Sequence, residues 1–285
     1  RSYRHVAGQS GIILLQALPL AVLFFLLFPR LPGSLFGLTQ TADTGRSGLS
    51  RTLAPGSISR LIQSQAPAFR ASFAGSPPSQ EELYWRAVVL TEYDGRQWSP
   101  GPGSARKAHP IQAEDSGYKL QITLEPHQST ILPALDLPLS RPKQTVLLSG
   151  RVLRAKSKIS RTFRYPLQAT PNITWPRLSP WQRRACLGID PHSNPRSMEL
   201  AQSVSDRRGT PQARLQAIQA FFQRQPFAYT LNPPQLPAQA SIDTFLFETQ
   251  SGYCEHYAQA LAWMARAVGI PSRLVAGYQG GEKNP

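Results

Sequence analysis

The stretch Phe245–Tyr278, FLFETQSGYCEHYAQALAWMARAVGIPSRLVAGY, constrains the fold more than any other part of the chain, because it specifies a helix that opens on a cysteine. From Cys254 onward, Tyr257, Ala258, Leu261, Met264, Ala265 and Val268 recur at helical spacing, which predicts one buried face. Alanine and leucine favour the helix. Arg266 sits in its last turn against the negative end of the dipole, and Gly269 with Pro271 supplies the stop. The helix should therefore run from Cys254 to Val268, with the usual slack at its ends.

A thiol in a first helical turn has a chemical consequence. An isolated cysteine titrates near ~8.5, and the positive end of a helix lowers that value toward the thiolate, which is the nucleophile. Most lone cysteines are simply small buried apolar residues. Position separates Cys254 from that majority: it follows Gly252, lies between Tyr253 and Glu255, and begins the helix. Cys254 is the candidate catalytic residue. The second cysteine, Cys186, falls in an irregular stretch; two cysteines are too few for a disulfide framework, and pairing them would cap the nucleophile, so both read as free thiols.

At these residues the chain resembles the transglutaminase-like superfamily of papain-like cysteine enzymes. Gly252-Tyr253-Cys254-Glu255-His256, Ala258, the run Arg266-Ala267-Val268-Gly269-Ile270-Pro271-Ser272-Arg273 and Gly277-Tyr278 are similar to its succession of nucleophile, helix, tight turn and first sheet strand. FLFETQSGYCEHYA and GYQGGEKNP resemble, more narrowly, the bacterial inner-membrane-anchored branch. The resemblance implies a Cys-His-Asp triad whose histidine and aspartate lie on strands downstream of Gly277-Tyr278, and the sequence ends at Pro285, before both. The histidines present do not replace them. His256 is two residues from Cys254, and positions i and i+2 of a helix do not face each other; His109 and His127 fall among expected strands, His192 in an irregular segment and His5 ahead of an apolar stretch. The expectation is a nucleophile without its base, little or no transfer by this chain as given, and a lone, unprotected, poorly ordered strand over Ser272–Tyr278.

The rest of the chain divides by pattern into an anchor (1–30), a linker (31–64), a β-rich domain (65–168) and a transglutaminase-like domain, incomplete at its C-terminus (169–285). Gly11–Phe28 is apolar without a charge and just long enough to span a bilayer. A signal peptide is the competing reading, but no small-residue cleavage site follows, so an anchor is favoured. The resemblance makes it the last of several spans in the cell inner membrane, with everything after Phe28 in the periplasm. Residues 31–64 are rich in Gly, Ser, Thr and Pro and read as a tether.

Period-two alternation then predicts strands at Phe69–Phe73, Leu83–Leu90, Tyr118–Leu124, Thr145–Leu153 and Arg161–Gln168, with Asp94-Gly95 as a hairpin signal, together a small β-sandwich-like domain. Residues 169–198 read as an irregular connection, followed by amphipathic helices over Met198–Val204 and Pro211–Gln223. Asn232-Pro233-Pro234 opens a loop expected to border the cleft. The fold class is α+β: a transmembrane helix, a β-sandwich-like domain, then the N-terminal helical part of a papain-like transglutaminase core.

The net charge of +15 is compatible with nucleic acid, an anionic membrane or an acidic polymer such as a cell-wall component. The arginines are scattered and no nucleic-acid motif appears, so the basic surface fits anionic headgroups and excludes nucleic acid as the expected partner. No cofactor motif is present, and Cys254 with His256 lacks the further ligands a metal would need. The resemblance implies a membrane-anchored protein-glutamine gamma-glutamyltransferase, which joins a protein or peptide glutamine donor to an amine acceptor through a cysteine thioester. The alternatives are an amidase or cysteine protease on the same fold, or an inactive membrane-tethered scaffold.

Overall fold

Strand β2 (Tyr84–Leu90) is buried along almost all of its length, as its unbroken YWRAVVL run requires of a strand covered on both faces. Trp85 belongs to one apolar cluster, with Leu120, Ile122, Leu135 and Tyr165; Ala87, Val88 and Leu90 belong to a second, with Trp98, Phe245, Trp263 and Met264. β2 is thus the wall between a β-rich core and a helical one. A computed structural model of the chain describes residues 52–53, 67–109, 111, 113, 117–170, 173, 177–206 and 209–283, which fall in one unit, Asp43–Pro285. The apolar stretch Gly11–Phe28 and most of the expected linker lie outside the described residues. Among the described residues no helix is long and apolar enough to cross a membrane. Within the stretch read as a tether, Leu53 is buried and exchanges backbone hydrogen bonds with Trp98.

The β-rich part follows the alternation closely. β1 (Arg70–Phe73), β5 (Tyr118–Leu124), β11 (Phe163–Thr170) and β8 (Leu137–Pro138) form a four-stranded sheet in the order β1-β5-β11-β8. In β5, Leu120, Ile122 and Leu124 point inward, while Lys119 and Gln121 are exposed. β3 (Glu92–Tyr93) and β4 (Trp98–Ser99) form the hairpin signalled by Asp94-Gly95, whose Asp94 carboxylate accepts from the N–H groups of Arg96 and Gln97, both at 2.8 Å. The single strand expected over Thr145–Leu153 is instead two, β9 (Thr145–Leu148) and β10 (Val152–Ala155), paired antiparallel around a 3-10 turn at Ser149–Arg151. Gly150, at φ 76°, takes a conformation no strand interior accommodates. β6 (Ile131–Leu132) joins β10, and β7 (Ala134–Leu135) joins β2.

Three helices follow. The first, α1 (Pro180–Leu187), lies where an irregular connection was expected, and corrects that reading. Its signature is a capping box: the Ser179 side chain accepts from the Gln182 N–H, Gln182 Oε1 accepts from the Ser179 N–H at 2.9 Å, and Pro180 occupies the first turn. α2 (Pro195–Val204) and α3 (Pro211–Arg224) match the expected amphipathic pair and pack against the helix of Cys254.

The last strand, β14 (Leu274–Gln279), overturns the expectation of a lone, unprotected strand. It pairs antiparallel with β2 over its whole length, from Leu274 opposite Leu90 to Gln279 opposite Tyr84. The register shifts between Ala276 and Gly277, and a Cβ on Gly277 would come within 1.9 Å of the Trp85 carbonyl oxygen. Only glycine permits that approach. The ladder crosses the expected boundary near 168, and the Tyr84 hydroxyl donates to the Val275 carbonyl at 2.8 Å, a contact 191 residues apart in sequence.

Candidate active site

Helix α5 (Cys254–Ala267) carries the cysteine in its first position, and three devices hold the helix and its approach in place. The short helix α4 (Ser241–Thr244) leads through a π turn, Phe245–Thr249, into β13 (Ser251–Gly252) and then Cys254. The start of α4 and the start of α2 cap each other. The buried Asp243 carboxylate accepts from the N–H groups of Ser197 (2.8 Å) and Arg196 (3.1 Å) and from the Ser197 hydroxyl, while Asn194 Oδ1 accepts from the N–H groups of Ile242 (3.0 Å) and Asp243 (3.2 Å). Each helix would otherwise leave these N–H groups unsatisfied in the core.

His256 is the second device. Its Nδ1 accepts from the Tyr253 N–H at 3.3 Å, and its ring stands edge-on to Tyr253 with centroids 4.6 Å apart. Burial pushes its pKa below the ordinary value, so the imidazole is neutral at neutral pH. It caps the helix, and does not serve the sulfur, in keeping with the i, i+2 geometry. Gly252 makes room for it, since a Cβ there would meet His256 Cβ and Cγ at 2.8 Å.

The third device is Arg266, read from sequence as a partner of the helix dipole but found as a buried staple. Its guanidinium donates to the carbonyls of Gly188 (2.7 Å), Thr91 (2.8 Å) and Ser272 (2.6 Å) and to the Ser272 hydroxyl (3.3 Å), and it lies 4.5 Å from the Trp98 ring centre. Burial pushes its pKa down to about 10. The end of α5 is thereby tied to α1, to the β2–β3 corner and to the turn into β14.

Around Cys254 the structure collects groups from three separated segments. Cys254 is the exposed cysteine and Cys186 the buried one; neither forms a disulfide. The sulfur is approached by the N–H groups of Cys254 and Glu255 and by the Tyr229 hydroxyl, all of which favour the thiolate. They are outweighed: loss of solvent at the sulfur is the largest influence, the buried Glu255 carboxylate adds to it, and the thiol lies above its ordinary value. This corrects the expectation that the helix start would lower it. Dipole and amide donors are present as expected, but desolvation and a like charge are stronger. Tyr84, on β2, is near enough for its own ionisation to be opposed by Cys254.

The two thiols should consequently differ in access more than in acidity, since burial pushes the Cys186 thiol up as well. Iodoacetamide is expected to label Cys254 well before Cys186, at a rate that climbs with pH through and beyond the ordinary cysteine range. A rate for Cys254 already flat below neutrality, read by peptide mass spectrometry, would contradict this environment.

Of the other histidines, His127 is buried with Nδ1 accepting from the Ser129 N–H at 3.2 Å, His109 follows a short β-bridge, His192 lies in the turn before α2, and His5 is outside the described residues. Among the described residues no histidine is one of the groups that act on the Cys254 thiol. Among the described residues no three His, Cys, Asp or Glu side chains converge on a common point that could hold a metal. A cavity of about 630 Å³ opens elsewhere, between α1, the β3–β4 hairpin and Ser149-Gly150; Cys186 and Arg273 line it and Cys254 does not. Tyr229 and Tyr84 were not singled out by sequence for this site, and the one available signal was the position of Tyr229 just before the loop opened by Asn232-Pro233-Pro234.

Comparison with known proteins bears on the same segments. Residues 1–172 match the TgpA N-terminal domain family, and residues 198–284 match the transglutaminase-like superfamily. A protein-glutamine gamma-glutamyltransferase of Pseudomonas aeruginosa is 40% identical over 278 residues, which cover 97% of this chain and 41% of that protein. The uncharacterized protein YebA of Bacillus subtilis is 34% identical over 71 residues, 24% of this chain and 10% of its own length. This chain thus spans less than half the length of these curated relatives. The crystal structure of the periplasmic domain of TgpA from Pseudomonas aeruginosa is similar with a TM-score of 0.78 and 38% identity, covering 84% of this chain and 83% of that one. The same domain bound to ethylmercury gives a TM-score of 0.74 and 37% identity, covering 83% and 84%. One family match spans more than half of the chain and the other contains α5 and β14, so this chain belongs to the TgpA N-terminal domain family and carries, from α2 to its end, a transglutaminase-like superfamily domain.

Proposed function

We propose that this chain contributes the nucleophile of a protein-glutamine gamma-glutamyltransferase, acting in the periplasm and held at the inner membrane by Gly11–Phe28. The observation that carries the reading is the placement of Cys254: solvent-accessible, first in α5, at the end of β13, where the first-turn N–H groups and the Tyr229 hydroxyl favour its thiolate. Likeness to a protein-glutamine gamma-glutamyltransferase supports the substrate class. The papain-like layout of the full triad is part of the proposal.

In the first half-reaction the Cys254 sulfur attacks the carboxamide carbon of a glutamine side chain. An S–C bond forms, the C–N bond breaks, and ammonia leaves with the proton that the thiol gave up. In the second, an amine attacks the thioester carbon, the isopeptide C–N bond forms as the C–S bond breaks, and the proton the amine loses returns to the departing sulfur; water in its place yields glutamate. Acylation removes the negative charge from the sulfur, which frees the Cys254 N–H to donate to the developing oxyanion. The base that shuttles these protons is a residue other than His256, whose buried imidazole is engaged by the Tyr253 N–H.

The test is chemical. The full-length protein is incubated with a glutamine peptide and a fluorescent alkylamine, and the products are identified by mass spectrometry. Ammonia release with a thioester adduct on the peptide containing Cys254, resolved on adding amine, is the expected result. Adducts confined to another residue, or peptide-bond cleavage in place of ammonia release, would replace this reading with a scaffold or a protease.

A further inference from the structure

We propose that the glutamine-bearing substrate binds as an added β-strand along the outer edge of β12 (Ala228–Tyr229), a proposal that rests on the reading of Cys254 above. β12 pairs in parallel with β13, which runs directly into Cys254, in the register Ala228 opposite Ser251 and Tyr229 opposite Gly252. The N–H of Ala228 donates to the Gln250 carbonyl (2.8 Å) and that of Thr230 to the Gly252 carbonyl (2.9 Å). Because a strand presents its main-chain groups to alternate sides, the N–H and C=O of Tyr229 point away from β13. Neither finds a partner among the described residues, and both residues of β12 are exposed. The result is a donor–acceptor pair on an open strand edge, the arrangement an extended peptide completes.

The side chains make this edge specific to the site. The Tyr229 ring is 65% exposed, stacks on Tyr257, a residue of the first turn of α5, with centroids 6.2 Å apart, and lies near enough to Cys254 for its hydroxyl to favour the thiolate. Its ring therefore marks the face of the two-stranded sheet that looks at the nucleophile. An added strand lies about 4.8 Å beyond β12, and its residues alternate between that face and the other. A glutamine on the Tyr229 face points its carboxamide toward the sulfur, and the residues before and after it point away. Leu231, 42% exposed just past β12, offers an apolar contact to the same segment. The occupant is thus an extended stretch of polypeptide, recognised by its main chain, in which a glutamine holds one register position. A free amide or a glutamine held in a helix cannot satisfy the Tyr229 donor and acceptor together.

Binding is measured by fluorescence anisotropy of a labelled seven-residue glutamine peptide on the full-length protein carrying Cys254→Ala, which separates docking from chemistry. A parallel series carries one backbone N-methyl group at each position in turn. Strand addition predicts alternation: methylation at the position that donates to Tyr229 weakens binding roughly tenfold, while the positions on either side are tolerated. Tyr229→Pro, which removes the outward N–H but no hydrogen bond to β13, should bind roughly tenfold more weakly than Tyr229→Ala, which removes the ring alone. Uniform tolerance or uniform loss across the methylated series overturns the proposal, as does undetectable binding of the parent peptide. Should Tyr229→Pro fail to fold, the methylated series on otherwise unaltered protein decides the matter. Cys254-dependent amine incorporation without alternation sinks strand addition and leaves the proposed activity standing; alternation without incorporation does the reverse.

Discussion

Replacing Cys254 by alanine is expected to lower amine incorporation by the full-length protein at least about 1,000-fold, because loss of the proposed covalent nucleophile leaves only substrate binding and oxyanion stabilisation. Cys186→Ala, the matched control, is expected to leave the rate essentially unchanged. The two cysteines are distinguished by geometry. Cys254 is exposed at the start of α5, whereas Cys186 is buried in α1. Cys254→Ser tests the chemistry further: a hydroxyl fits the same space but ionises far less readily, so it should recover almost none of the lost rate. A Cys254→Ala enzyme retaining a tenth or more of its activity would move the nucleophile elsewhere.

Arg266→Ala should destabilise the fold by about 3–5 kcal/mol, which for a domain of this size lowers the melting temperature by roughly 10 °C. The effect arises from what is left behind. Three carbonyls, from Gly188, Thr91 and Ser272, lose their donor, and the Trp98 face loses its cation. Burial disfavours the guanidinium charge, as its lowered pKa records, so the residue holds its place only through the completeness of those contacts. Arg266→Lys keeps the charge but not the planar fork, and should recover less than half of the loss. Thermal unfolding of the three proteins at equal concentration checks this, and a shift under about 2 °C for Arg266→Ala would refute the staple.

What the sequence discloses about this chain depends on how local each cause is. β5 is legible because Leu120, Ile122 and Leu124 alternate with polar residues, and α5 because its apolar positions recur at helical spacing between a glycine-cysteine start and a Gly269-Pro271 stop. α1 was legible in principle: Ser179-Pro180 with Gln182 is a start signal, obscured by the prolines around it. β14 could be seen as a strand, but not its partner, since β2 lies far away in sequence and nothing periodic connects them. The acidity of Cys254 failed for a similar reason. The helix dipole can be read from sequence, whereas the desolvation and the Glu255 charge that override it depend on how the first turn packs. Tyr229 reaches the sulfur only through the β12–β13 pairing, which two-residue strands do not announce.

The pairing of β2 with β14 also sets a schedule for biosynthesis. At translation rates of roughly 5–20 residues per second, β2 leaves the ribosome about 10–40 s before the strand that completes its ladder. During that interval one edge of a strongly apolar strand has no native neighbour, and the helix bearing Cys254 does not yet exist to cover its face. A nascent chain of this design is vulnerable to edge-to-edge association until β14 emerges, and should depend on chaperone protection, or on slow export, more than a domain whose neighbouring strands are synthesised together.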